Sequence, residues 1–290
     1  MLLLNDYLRK IYGCKVYKLA LSADVTCPNR DGTCGTRGCI FCSQGGSGEF
    51  ASDKTLPIAE QIGQAESRVS GKIKEGKYIA YFQSYTNTYA PVSYLRKIFY
   101  EAVSNDDIVI LSVATRPDCL GDDVMELLEE LGRIKPVWVE LGLQTIHAGT
   151  AEYIRRGYDL AVYDEAVRKL KAAGIKVIVH VIIGLPGETL QDMRETVKYV
   201  VDSGADGIKL QLLHILKGTD LADEYYAGRV RVLSMDEYIS AIRDLVKLIP
   251  DNVVIHRLTG DGDKKLLIAP MWSADKKKVI NAMRRGLGPE

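Results

Sequence analysis

Four of the chain's six cysteines, Cys27, Cys34, Cys39 and Cys42, fall within a short stretch, with gaps of six, four and two residues between them. Thiolates at this density suit a metal or redox centre. In a chain of 290 residues, disulfide stapling, the habit of small secreted domains, is the weaker reading. The spacing of Cys39-Ile40-Phe41-Cys42 is shared by zinc ribbons, thioredoxin-like sites and iron–sulfur loops, so spacing alone leaves two metals open. A zinc ion would take all four thiolates in one tetrahedron, although zinc knuckles usually present two close pairs and this loop has one. The cysteines lie in residues 24–50, which carry six glycines. Loops of that length inside a compact domain are usually functional or disordered.

The rest of the chain indicates where such a loop must sit. From about residue 55, short apolar, β-branched runs alternate with longer segments of helical period, the pattern of βα units around a parallel sheet. Strands are expected at 15–21, 78–82, 108–113, 137–143, 176–183, 207–213 and 253–257. Helices are expected at 58–74, 92–104, 122–133, 163–173, 190–203, 235–248 and 274–285. Gly174 and Gly204 follow two of them, as left-handed caps do. No Pro- or Ser-rich linker and no internal repeat interrupts the series, so the expectation is one α/β domain over 1–290: a partial or complete (β/α) TIM-type barrel with an extension at about 250–290. The cysteine loop follows the first strand, which puts it at the C-terminal face where barrel active sites form.

Bulk properties exclude less. Lysine and arginine total 38, as do aspartate and glutamate, so no global field draws the chain to nucleic acid or an anionic membrane. The opening Met1-Leu2-Leu3-Leu4 is cut short by Asn5, Asp6, Arg9 and Lys10. That is too early for a signal segment, and no later run approaches the roughly 20 apolar residues of a spanning helix. A cytoplasmic location is expected, with no membrane partner.

Cys39-Ile40-Phe41-Cys42 resembles the end of the cluster motif of radical S-adenosylmethionine (SAM) enzymes, with an aromatic residue ahead of the last cysteine. The longer gap back to Cys27 resembles the elongator catalytic subunit and the small bacterial proteins of the YhcC/YtqA type. The resemblance implies a [4Fe-4S] cluster on Cys27, Cys39 and Cys42. One iron is then left to bind the amino and carboxylate groups of SAM, and Cys34 is a bystander. It also implies that Phe41 packs beside the adenine.

The likeness continues from about residue 15 to 229. Residues 81–88, with Gln83 and Thr86, stand where the family carries Gly-Gly-Glu or Gly-Gly-Thr, and here those glycines are absent. Ala114-Thr115-Arg116-Pro117-Asp118 resembles an elongator-type segment. Gln144 and Arg156, twelve residues apart, match positions that bind SAM, and a guanidinium fork suits its carboxylate. His180, followed by Gly184 to Gly187, and Leu213 in the sixth strand match positions near the adenine and ribose. Without the resemblance, His180 reads as a core histidine on a buried strand.

The chemistry so implied is reductive cleavage of SAM to a 5′-deoxyadenosyl radical, fed by a flavodoxin- or ferredoxin-type donor. The elongator relationship points to tRNA as substrate, at a wobble uridine. A peptide or small metabolite is the alternative, and a zinc-stabilised barrel the third. Lys264-Lys265, Lys276-Lys277-Lys278 and Arg284-Arg285 form a basic C-terminal strip that either meets phosphates or is a solvated surface.

Overall fold

The computed structural model describes residues 1–46, 48, 50–69, 71, 76–260 and 262–286. It opens with β1 (Leu2–Leu3), α1 (Leu4–Tyr12) and β2 (Val16–Leu21). Regular alternation follows: α2 (Ile58–Ser67), β3 (Lys77–Phe82), α3 (Val92–Val103), β4 (Ile108–Thr115), α4 (Asp122–Gly132) and β5 (Val137–Gln144). Next come α5 (Ala148–Tyr153), α6 (Leu160–Ala172), β6 (Lys176–Ile183), α7 (Leu190–Asp202) and β7 (Gly207–Leu212). The last part holds β8 (Ile215–Leu216), α8 (Asp220–Tyr226), α9 (Met235–Val246), β9 (Val254–Arg257), β10 (Leu267–Ala269) and α10 (Lys276–Gly286).

Eight strands form one parallel sheet in the order β1-β9-β7-β6-β5-β4-β3-β2. Among the described residues the edge strands β1 and β2 do not pair, so the sheet is a curled half-barrel and not a closed one. The strands have two distinct faces because side chains alternate. Leu19, Leu21, Phe82, Leu111, Val139, Leu141, Val179 and Leu210 point outward into the main core beneath the helices. The alternate positions point inward. At the N-terminal end they are apolar: Val16, Ile79, Ile110, Trp138 and Ile178 pack around Leu8 of α1, which is 1% exposed. The first helix thus plugs the bottom of the half-barrel.

All seven expected strands form, with ends shifted by a residue or two. The expected helix at 58–74 stops at Ser67, and positions 70 and 72–74 of that range lie outside the described residues. The helix expected to begin at 163 starts at Leu160. The one expected at 274–285 starts at Lys276, because Met271–Ala274 forms a separate 3₁₀ turn. Positions 47 and 49 of the cysteine loop, and 287–290 of the extension, also lie outside the described residues. β1, α1, α5, α8 and the β8–β10 ribbon were not among the expected elements. The ribbon is antiparallel and separate from the main sheet. Among the described residues no helix is long and apolar enough to cross a membrane.

Candidate active site

Above the apolar plug the inward positions turn polar. Lys18, Tyr81, Glu140, His180 and Lys209 line the floor of a cavity of about 420 Å³ at the C-terminal mouth of the sheet. Glu140 is 1% exposed, a burial that a carboxylate tolerates only when its charge is compensated. Lys18 Nζ stands 2.5 Å from Oε1, Ser112 Oγ donates to the same oxygen at 2.8 Å, and Lys209 pairs with Oε2. Burial pushes the Glu140 pKa up, but the two lysines and His180 outweigh it and hold the group well below the usual carboxylate range.

His180 Nε2 lies 2.8 Å from Glu140 Oε2, and Gln211 Nε2 lies 2.9 Å from His180 Nδ1. The amide donates to Nδ1, so the imidazole proton sits on Nε2 and goes to Glu140. Burial, followed by the Lys209 charge, pulls the His180 pKa down to about 4. The ring is neutral, and both of its nitrogens are taken inside the protein.

The cysteine loop closes one side of this cavity. Cys27, Cys39, Cys42 and Phe41 all line it, whereas Cys34 is exposed and does not. The Cys39 thiol is raised to about 12 by burial first and by Cys42 second, with Cys27 adding to the effect. Three thiols facing one space, with the fourth outside, fit a three-thiolate cluster better than a four-thiolate zinc site.

Two tethers position the loop. Asn29, buried, donates to Arg155 O at 2.7 Å and to Arg156 O at 3.2 Å, and its Nδ2 is 3.5 Å from Cys39 Sγ. A Cβ on Gly157 would come within 2.5 Å of Asn29 Oδ1. Ile40 donates to Ile154 O, and Leu221 donates to Ile40 O. Asp220 accepts both Arg37, 2.7 Å away, and Arg155. On the other side, Arg30 Nη2 donates to Cys42 O at 3.1 Å and its guanidinium lies 5.5 Å from the Tyr85 ring centre.

Tyr85 occupies the region expected to hold paired glycines, and the structure shows what replaced them. Its φ is +57°, a left-handed conformation that side chains rarely adopt. The Tyr85 N–H donates to Gly46 O at 2.9 Å and its hydroxyl to Gln44 O. A Cβ on Gly46 would collide with the Tyr85 ring, and one on Gly48 with Ser84. In this chain the small residues lie in the loop that packs on the strand end. Thr86, almost fully buried, donates from its backbone to Thr26 O at 3.3 Å, and Gln83 donates to Leu21 O at 3.4 Å.

All ten residues singled out from the sequence face this one cavity: Cys27, Cys39, Cys42, Phe41, Gln83, Thr86, Gln144, Arg156, His180 and Leu213. Leu213 belongs to the apolar cluster against which Phe41 and Ile182 pack. Gln144 has a φ of +66° at the end of β5, beside a register shift.

Arg156 departs from the expected carboxylate fork. It is 3% exposed. Nε and Nη2 donate to Tyr158 O at 3.1 and 3.0 Å, and Nη1 donates to Thr145 O at 2.7 Å and Leu143 O at 3.5 Å. Four donor contacts to backbone carbonyls leave no two-oxygen fork for a ligand. The residue holds the end of β5 against the 156–158 turn. His180 lines the same cavity with both ring nitrogens engaged, by Glu140 and Gln211.

Sequence reasoning passed over Glu140, Lys18, Lys209 and Gln211. The available signal was parity: a lysine, a glutamate, a histidine and a lysine at inward positions of four buried strands. Arg116, in the elongator-like segment, also lines the cavity. It grips Asp118 through Nε and Nη2 at 2.9 and 2.6 Å and donates from Nη1 to Arg156 O at 2.8 Å.

Comparison with known proteins agrees with this geometry. The sequence profile of the Radical SAM superfamily matches residues 32–200, and that of the Radical_SAM C-terminal domain matches 205–287. YtqA of Bacillus subtilis is 48% identical over 284 residues, which cover 98% of this chain and 88% of that protein. The tRNA uridine(34) acetyltransferase of Methanocaldococcus jannaschii is 28% identical over 156 residues, covering 53% of this chain and 28% of that one. The solved structure of archaeal Methanocaldococcus infernus Elp3 superposes with a TM-score of 0.67 at 18% identity, over 87% of this chain and 58% of that one. This chain therefore spans less than two thirds of the Elp3 structure, and the likeness is one of fold. The chain belongs to the radical SAM superfamily, an enzyme family whose cofactors are a [4Fe-4S] cluster and SAM.

Proposed function

We propose that this enzyme binds its cluster through Cys27, Cys39 and Cys42, cleaves SAM reductively in the half-barrel cavity, and uses the resulting radical to modify tRNA. The observation that carries the reading is the convergence of these three thiols and the SAM-matched positions on one cavity that excludes Cys34. When bound, the cluster supplies one electron to the SAM sulfonium and so releases a 5′-deoxyadenosyl radical. The chain's own residues bind, orient and insulate. Phe41, Gln83, Thr86, Gln144 and Leu213 contact SAM. Arg156 and His180 act as positioning residues that fix the wall and floor. The Asn29 amide beside Cys39 Sγ offers an N–H to a cluster ligand, a contact of the kind that tunes iron–sulfur potentials. A flavodoxin- or ferredoxin-type protein is the proposed reductant, the cytoplasm the proposed location, and 1–290 the proposed single domain.

The tRNA assignment draws on the relationship to the tRNA uridine(34) acetyltransferase. It is tested by mass spectrometry of tRNA nucleosides from cells lacking the gene. The expected result is loss of one wobble-position uridine derivative and accumulation of its precursor. An unchanged nucleoside profile would redirect the chemistry to a peptide or small metabolite.

A further inference from the structure

Whole-chain charge is balanced, yet positive charge is unevenly distributed. Helix α10 carries Lys276, Lys277, Lys278, Arg284 and Arg285 and no acidic residue in its eleven positions. Its apolar positions Val279, Ala282 and Met283 are buried, with Val279 and Met283 part of the main core, which turns all five cations outward. A second exposed group stands at the β8–β10 ribbon: Lys217, Lys264 and Lys265, drawn together where Lys217 N donates to Leu266 O at 2.8 Å.

Several surface basic residues hold carboxylates, as Arg96, Arg168, Lys169, Lys171, Lys198 and Arg229 do, and others such as Arg9, Lys97 and Lys247 stand singly; what sets α10 and the ribbon apart is that their cations are clustered. Lys217, Lys264, Lys265, Lys277, Lys278, Arg284 and Arg285 have no acidic partner among the described residues. The two groups also share a place. His214 and Leu216 at the ribbon line the cavity, and His214 Nε2 lies 3.0 Å from Ser273 Oγ in the turn that leads into α10. The ribbon cations and the start of α10 therefore stand beside the mouth through which a substrate reaches the cysteines, and the rest of α10 continues the row of cations away from it, along α9.

We propose that this strip is the docking surface for the phosphate backbone of an RNA substrate, holding the nucleic acid so that one base reaches the cavity. The inference rests on the RNA reading above and adds where the polymer binds. Unpaired cations spread along a helix suit a polyanion better than a single small anion. From Lys277 to Arg285 the helix rises roughly 12 Å, with further cations on the ribbon beyond it. A contact of this kind carries affinity without base specificity and weakens steeply with salt.

The test uses reconstituted holoenzyme and unfractionated tRNA, with affinity measured by fluorescence anisotropy across a salt series. A variant carrying Lys277→Gln, Lys278→Gln, Arg284→Gln and Arg285→Gln is expected to bind at least tenfold more weakly, with a log–log salt slope smaller by about 3. Its iron content and SAM cleavage without RNA should be unchanged. A control at Arg168 and Lys169, whose charges are already paired, should bind like the wild type. Wild-type affinity and slope in the fourfold variant would overturn the surface while leaving the RNA reading intact. Failure of wild-type protein to bind tRNA at any salt would remove the RNA reading itself, and the surface with it. Loss of binding to phosphatidylserine vesicles in the variant, with tRNA binding retained, would reassign the strip to a membrane and also overturn the proposal.

Discussion

At Arg156 the fold uses donors that the sequence pattern offers to a ligand. Spacing from Gln144 shows which arginine belongs to the site, but not what its guanidinium touches, because the carbonyls of Leu143, Thr145 and Tyr158 converge on it only after β5 ends. Arg156→Ala leaves those carbonyls unsatisfied and buried, so it should cost about 1–3 kcal/mol of stability in denaturant titration. A variant as stable as wild type that binds SAM more weakly would return the fork to the ligand. His180 makes a second prediction. Its pKa falls from 6.5 to about 4 on folding, so between those values the unfolded chain holds a proton that the folded chain does not. This contribution to stability is complete above about pH 6.5 and is lost as pH falls toward 4. The melting temperature of His180→Asn should therefore vary less with pH over that window than that of the wild type. Identical slopes in the two proteins would show that His180 titrates normally. His256, half-buried and lowered in the same direction, keeps the wild-type slope from vanishing in the variant.

At the scale of elements, the long alternation was legible because parallel strands buried on the sheet read as apolar runs and the helices between them as amphipathic ones. What escaped was set by tertiary contacts: β1 has two residues and exists only by pairing with β9, α5 and α8 are six and seven residues long, and the β8–β10 ribbon pairs across a long stretch of chain. The cysteine loop was legible as a site but not as a shape. Its glycines became interpretable only when Tyr85 was seen against Gly46 and Ser84 against Gly48. This junction predicts a coupled pair. Gly46→Ala should push the Tyr85 ring away and lower iron content after reconstitution, whereas Gly46→Ala combined with Tyr85→Ala should recover part of it. If the double variant loads no more iron than Gly46→Ala alone, the ring is not what the missing Cβ accommodates.

For the whole molecule, an open half-barrel needs its bottom sealed, and α1 does this with Leu8 among inward residues of five strands. Leu8→Ala should cost about 2–5 kcal/mol through the cavity it leaves, read as an earlier midpoint in urea. An unaffected midpoint would mean that the plug is dispensable. The thiols and the SAM-matched positions lie at the opposite, upper mouth, with the ribbon cations beside it. The most direct test of the account compares anaerobically reconstituted wild type with single Cys27→Ala, Cys34→Ala, Cys39→Ala and Cys42→Ala variants, measuring iron, sulfide and 5′-deoxyadenosine released from SAM under dithionite. Wild type and Cys34→Ala should carry four irons and cleave SAM, while the other three lose both. Loss of the cluster in Cys34→Ala, or intact SAM beside a fully loaded wild-type cluster, would contradict the three-thiolate site.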